Sequence, residues 1–237
     1  LLNDDSKIVI TSKLESKSYL DLTLSMLDKF GIEIENKDYK EFIIKGNQEY
    51  KAMDYTVEGD YSQAAFFLSA NYIGNDIDIK GLDENSLQGD KEILKWLEVL
   101  KNDENKVIDA TNCPDIIPIL TVCAALTKGK TEIINAGRLR IKECDRLTAI
   151  STQLNKLGAD IIEHEESLTI NGVDSLNGGC VDSFKDHRIS MSLAIASSRC
   201  KDDIIIKDYM CVKKSYPHFY EDFMKLGGEI NECDIWK

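Results

Sequence analysis

Three stretches of the chain open on an aspartate and then run apolar or small on every side: DYSQAAFFLSA from Asp60, DIIPILTVCAAL from Asp115 and DHRISMSLAIAS from Asp186. A helix without a polar face has to be buried, so the pattern predicts three core helices. A β-like run follows each, at Asp76 to Gly81, Lys130 to Gly137 and Lys201 to Asp208. A second, amphipathic helix comes next, clearest where Leu147, Ile150, Leu154 and Leu157 recur close to the 3.6-residue period. Glycine closes these helices in LGA at Leu157 to Ala159 and LGG at Leu226 to Gly228, and the strand-like ADIIEH and GEINEC follow. The same second half opens the chain, where KIVITS leads into a helix holding Leu22, Met26 and Phe30 and then GIEIEN. The result is three and a half units of roughly 55 to 70 residues. An α/β (α+β) layered domain, with buried helices under sheets, is the expected architecture.

Between the second β-like run and its amphipathic helix lies RLRIKECDR, Arg138 to Arg146, with four arginine and lysine cations crowded into nine residues. Arg138, Arg140 and Lys142 fall at every second position, so an extended segment would aim all three one way. A helix beginning near Glu143 would bring Arg146 beside Lys142. Like charges about 9 Å apart repel by roughly 2 kcal/mol per pair at an effective dielectric of about 20, and cations at a helix N-terminus also oppose the macrodipole. A bound anion relieves both costs. The alternative is a solvated charged face with Glu143 and Asp145 as local counterions.

Composition narrows the partners. The net charge of −13 argues against nucleic acid and makes the basic cluster stand out. No apolar run is long enough to span a bilayer, so no membrane partner is expected, and the chain reads as cytoplasmic. Seven cysteines, at 113, 123, 144, 180, 200, 211 and 233, form no CxxC pair, the pattern of reduced thiols. The histidines His164, His187 and His218 lack metal-ligand spacing, so no metal is expected.

Six motifs stand in order along the chain: VEGDYSQAAFFL (Val57 to Leu68), SLQGD (Ser86 to Asp90), CPDIIP (Cys113 to Pro118), RLRIKECDR, KDHRISM (Lys185 to Met191) and CVKKSYPHF (Cys211 to Phe219). This set resembles the enolpyruvyl transferase family, in the branch that acts on shikimate 3-phosphate. The resemblance implies an inside-out α/β barrel of repeated βαβαββ units. Residues 1–57 are then expected to be a remnant of the N-terminal lobe. Residues 58–237 are expected to be the C-terminal lobe, in units of about 58–108, 109–173 and 174–237. A preceding segment of the family pattern, carrying further phosphoenolpyruvate contacts, is expected to lie before Leu1.

The resemblance also implies roles. Ser16 and Tyr19, in SKSY where the family has SKPY, contact shikimate 3-phosphate, and a serine there is otherwise a helix N-cap. Asp115 is the general base for the 5-hydroxyl, although Asp60, Asp115 and Asp186 could all be helix caps. Lys142 binds the shikimate side and Glu143 handles the proton of the phosphoenolpyruvate methylene. Arg138 joins the shikimate 3-phosphate set at a position where other members have asparagine, and Cys144 is given no role. Arg146, Arg188 and Lys214 hold the carboxylate and phosphate of phosphoenolpyruvate, where arginine forks suit paired oxygens. The implied reaction transfers the enolpyruvyl group to the 5-hydroxyl and releases phosphate, in the shikimate pathway to aromatic amino acids. It needs no cofactor, and a monomer is expected. Two other readings remain: an anion-binding fragment that does not turn over alone, and a transferase acting on a UDP-sugar.

Overall fold

The computed structural model describes residues 2–102 and 106–231. The chain opens with β1 (Ser6–Val9), α1 (Lys17–Lys29), β2 (Ile34–Lys37) and β3 (Glu41–Ile44). The three strands form an antiparallel sheet in the order β1-β3-β2, with Ile44 opposite both Ser6 and Ile34. Next come α2 (Tyr61–Tyr72), α3 (Glu92–Asn102), β4 (Lys106–Asp109), α4 (Ile117–Ala125), β5 (Lys130–Ile134) and α5 (Arg146–Lys156). They are followed by β6 (Asp160–Glu163), β7 (Leu168–Asn171), β8 (Gly179–Asp182), α6 (His187–Ser197), β9 (Ile204–Lys207) and α7 (Phe219–Lys225). The middle sheet runs β4-β5-β7-β6, parallel only between β4 and β5, and β8 pairs with β9 in parallel.

The three aspartate-led helices lie where their sequences demand. α2, α4 and α6 pack on one another, and every residue of α4 is buried. Thr121 sits inside this core without cost in polar groups, because its hydroxyl donates to the Ile117 carbonyl one turn back at 2.8 Å. α3 and α5 cover the cluster with one face each, through Ile93, Trp96, Leu97 and Leu100 and through Leu147, Ile150 and Leu154. Helices inside and sheets outside is the layered α/β arrangement expected.

Three expectations change. Residues 76–81 join no ladder among the described residues; the Asn71 amide donates to the Ile77 carbonyl at 2.8 Å and accepts from its N–H at 2.7 Å, which satisfies both backbone groups of Ile77. GEINEC is not a strand over residues 228–231, and its last two residues lie outside the described ones. α5 starts at Arg146 and not near Glu143, because the Asp145 carboxylate accepts from the Thr148 N–H and makes Asp145 the N-cap. Before each outer helix the chain tightens into a 3₁₀ turn, at Gly89–Lys91, Gly137–Ile141 and Tyr209–Lys214. These turns, with the N-termini of α2, α4 and α6, carry the charged residues.

Candidate functional site

The three leading aspartates diverge in function. Asp60 and Asp186 cap their helices, accepting from the N–H groups of Ser62 and Arg188 at 2.8 Å each. Asp115 does not cap. Pro114 opens a 3₁₀ turn, Pro114–Ile116, that places Asp115 inside the turn, with Cys113 at the N-cap. Its carboxylate is left to other donors: Lys142 Nζ at 3.1 Å and Arg146 Nη1 at 2.8 Å on one oxygen, Tyr19 Oη at 3.3 Å and Arg188 Nη2 at 3.5 Å on the other.

Arg146 is the centre of the arrangement. Its side chain is 1% exposed, and its guanidinium reaches three carboxylates: Nε to Asp186 at 2.8 Å, Nη1 to Asp115 and Nη2 to Glu143 at 2.6 Å. A buried cation in the first turn of α5 is doubly unfavourable, through lost hydration and the macrodipole, and only several carboxylates offset that. Asp186 serves two helices at once, capping α6 with Oδ1 and holding Arg146 with Oδ2. Glu143 accepts from Lys214 Nζ at 2.6 Å through its other oxygen. Tyr19, Asp115, Lys142, Glu143, Arg146, Arg188 and Lys214, separated by up to almost the whole chain, therefore form one bonded network.

Ser16 and Arg138 form a pair beside it, Arg138 Nη1 donating to Ser16 Oγ at 2.7 Å, with Glu15 at 3.6 Å. Among the described residues no side-chain bond joins this pair to the network. Ser16 occupies the N-cap position of α1 at φ 52° but makes no capping bond with its side chain, so the cap alternative is not what the hydroxyl does. The alternation expected of Arg138, Arg140 and Lys142 fails, because Gly137–Ile141 is a 3₁₀ turn. Arg140 turns away to Asp145 at 2.7 Å, Glu163 at 2.8 Å and the carbonyls of His164 and Glu165. The sequence reading also missed Asp186, Ser62 and Asp90 as partners of the cations. The signal for each was present, since all three lie in the six motifs that carry the resemblance.

Charge and burial set the proton affinities. Burial works to raise the Asp115 carboxyl, but Arg188, Lys142 and Arg146 outweigh it and hold it far below the carboxylate range. Glu143 also loses to its cations: burial raises it, while Lys214 and Arg146 bring it down to about 2. Burial, then Arg188, push His187 down to about 4. Both carboxylates are thus ionised and self-neutralised by the lysines and arginines. A hollow of about 450 Å³ lies between α1 and residues 86–95, and another of about 280 Å³ is bordered by Lys13, Thr111 and Arg138. Neither has Asp115 or Arg146 in its wall, since the ion pairs close the network on itself. Chemically, the arrangement offers clustered cations for small polyanions and three carboxylates on one guanidinium. Among the described residues no group of three or more histidine, cysteine or acidic side chains is placed to hold a metal, and no helix is long and apolar enough to cross a membrane.

A family model for EPSP synthase (3-phosphoshikimate 1-carboxyvinyltransferase) matches residues 1–223. The chain is 59% identical over 248 residues to a 3-phosphoshikimate 1-carboxyvinyltransferase of Clostridium perfringens strain SM101, an alignment covering 98% of this chain and 58% of the relative. A Clostridioides difficile strain 630 protein of the same description is 60% identical over 253 residues, covering 100% and 58%. Among solved structures, EPSP synthase from Acinetobacter baumannii superposes with a TM-score of 0.82 at 23% identity, over 97% of this chain and 58% of that one. The enolpyruvyl transferase NikO from Streptomyces tendae gives 0.71 at 15%, over 98% and 57%. These two show a shared fold, and the chain spans about 58% of the length of the curated relatives it matches.

Proposed function

Because the chain belongs to the EPSP synthase family, we propose that it supplies the shikimate 3-phosphate and phosphoenolpyruvate contacts of an enolpyruvyl transfer that joins the enolpyruvyl group to the 5-hydroxyl and releases phosphate. The observation that carries the reading is the meeting of Lys142, Arg146 and Arg188 on one carboxylate, Asp115. In this proposal residues 58–237 act as a three-unit lobe and residues 1–57 as part of a second one. Ser16, Tyr19, Arg138 and Lys142 face shikimate 3-phosphate, and Arg146, Arg188 and Lys214 take the carboxylate and phosphate of phosphoenolpyruvate.

The electrostatics give the mechanism a sequence. A carboxylate held far below its ordinary range is a poor base, and one at about 2 is a poor proton donor at neutral pH. Substrate anions compete with Asp115 and Glu143 for the same donors. As Lys142, Arg146 and Arg188 turn their charge toward substrate, Asp115 regains basicity and can take the 5-hydroxyl proton. As Lys214 and Arg146 do the same, Glu143 rises toward the range where it carries a proton for the methylene carbon. The cations then face the charge that develops on the substrates, in a site where burial strengthens every such interaction. Binding therefore activates the acid and the base together.

The second reading, an anion-binding unit without turnover of its own, is favoured for the isolated chain by its 58% share of the relatives' length. Both are tested by titrating the purified chain with shikimate 3-phosphate in a calorimeter and by following phosphate release in a mixture with phosphoenolpyruvate. Weak binding that Lys142→Ala abolishes, without release, is expected of the chain alone. Release should appear once the part of a clostridial relative that this chain does not cover is added. Absence of any heat up to millimolar ligand would refute the binding assignment.

A further inference from the structure

Two of the six motifs, VEGDYSQAAFFL and SLQGD, have no role in the scheme above, and they meet behind Arg188. The Gln88 side chain stitches them together, its Nε2 donating to the Gly59 carbonyl at 2.9 Å and its Oε1 accepting from the Tyr61 N–H at 2.8 Å. Gly89 makes the close approach possible, since a Cβ there would lie 2.2 Å from Ser18 Oγ and 2.7 Å from the Asn112 carbonyl. The next residue, Asp90, is 3% exposed, and its Oδ1 has no hydrogen-bond partner. In front of it stands Ser62, whose Oγ accepts from Arg188 Nη2 at 2.6 Å and whose hydroxyl lies within reach of the Asp90 carboxyl. Arg188 Nε is likewise buried and unpartnered. Burial works to raise the Asp90 carboxyl while Arg188 opposes that, and two buried groups, each short of one bond, thus flank a single hydroxyl.

A buried carboxyl with an unmet oxygen costs free energy that a hydrophobic side chain would not, so its place here calls for a task. Arg188 stands 3.5 Å from Asp115, and the pull between them in a half-buried site would close that gap and withdraw the guanidinium from incoming anions. Something behind must hold it. We propose that Asp90 and Ser62 are positioning residues for Arg188: the Ser62 hydroxyl fixes one edge of the guanidinium, and the buried Asp90 carboxyl behind it orients that hydroxyl, so that the remaining edge stays available to an anionic substrate. This rests on the functional reading of Arg188 for its consequence, but not for the geometry.

The test reads Arg188 directly. In ¹⁵N–¹H spectra of the chain, the Arg188 Nε–Hε signal, identified by its loss in Arg188→Lys, should be protected from water exchange. Asp90→Asn, which keeps shape and replaces a carboxyl oxygen by an amide donor, and Ser62→Ala should each shift that signal and speed its exchange by about tenfold or more. Ser62→Thr, which restores a hydroxyl, should keep it near the wild-type position. A signal unmoved in both Asp90→Asn and Ser62→Ala, or moved equally by Ser62→Thr, overturns the proposal. Should Asp90→Asn fail to fold, the serine pair decides alone. In the assembled enzyme the same two variants should raise KM for phosphoenolpyruvate about tenfold with kcat changed less than about threefold. A wild-type preparation that releases no phosphate counts against the proposed reaction and leaves the spectroscopic result standing.

Discussion

Removing the Arg146 guanidinium would strand Asp186, a carboxylate with no exposed surface, and leave Asp115 and Glu143 facing each other with one cation fewer. Arg146→Ala is expected to lower the unfolding free energy by about 3–5 kcal/mol, and urea denaturation followed by circular dichroism would reveal it. Arg146→Lys keeps the charge but cannot reach three acids, so it should recover only part of the loss. A pH effect arises next door. His187 is held neutral, its folded pKa of about 4 lying below the ordinary 6.5. Its contribution is complete above 6.5 and is lost as pH falls from there to about 4, because the unfolded chain binds the proton first. Glu143, at about 2 against 4.5, loses its share over that lower window. Thermal midpoints measured in steps from pH 7 to 3 should therefore decline in two stages, and His187→Asn should flatten the first alone. The cations of this site were legible as types and positions. Which of them face inward was not, because a 3₁₀ turn at Gly137–Ile141 breaks the alternation and sends Arg140 to Glu163.

Elements with an unbroken apolar signal were read correctly, as α4 illustrates, since nine buried residues leave no polar face to misplace. Short strands were harder. The run at 76–81 has a strand's alternation, yet it pairs with no strand among the described residues, and Ile77 bonds to the Asn71 side chain. The same amide clamp joins Asn155 to Ile161, where a true strand follows, so the pattern alone does not separate the two. The aspartate at 115 looked like its two counterparts because nothing in the spacing says that Pro114 opens a 3₁₀ turn that takes Asp115 inside it, past the cap position at Cys113. Helix ends offer a sharper trial. Gly158 closes α5 at φ +90°, and a Cβ would meet Asn177 Nδ2 at 2.5 Å. Gly158→Ala should cost about 1–2 kcal/mol, from left-handed strain plus that contact. Gly227, at φ +100° with open space around it, should cost less on the same change, and paired melting curves would show whether the clash matters.

At the scale of the molecule, the site is assembled from the N-termini of three inner helices and the 3₁₀ turns that precede the outer ones, so segments far apart in the chain contribute to one place. α1 reaches the same place from the other sheet, through Tyr19 on Asp115 and through Ser18, whose hydroxyl donates to the Asn112 carbonyl at 3.4 Å. Affinity for shikimate 3-phosphate in the chain should fall as ionic strength rises, with the half-exposed Arg138 responsible for much of the decrease, and titrations at two salt concentrations with Arg138→Ala would measure it. The Arg146 fork has a further effect. Because one guanidinium is shared by both proposed proton carriers, a ligand that draws it aside retunes donor and acceptor in concert. The acidic and basic limbs of a rate profile would then report apparent constants of the couple, not of either acid, and should shift together on saturation with a single substrate.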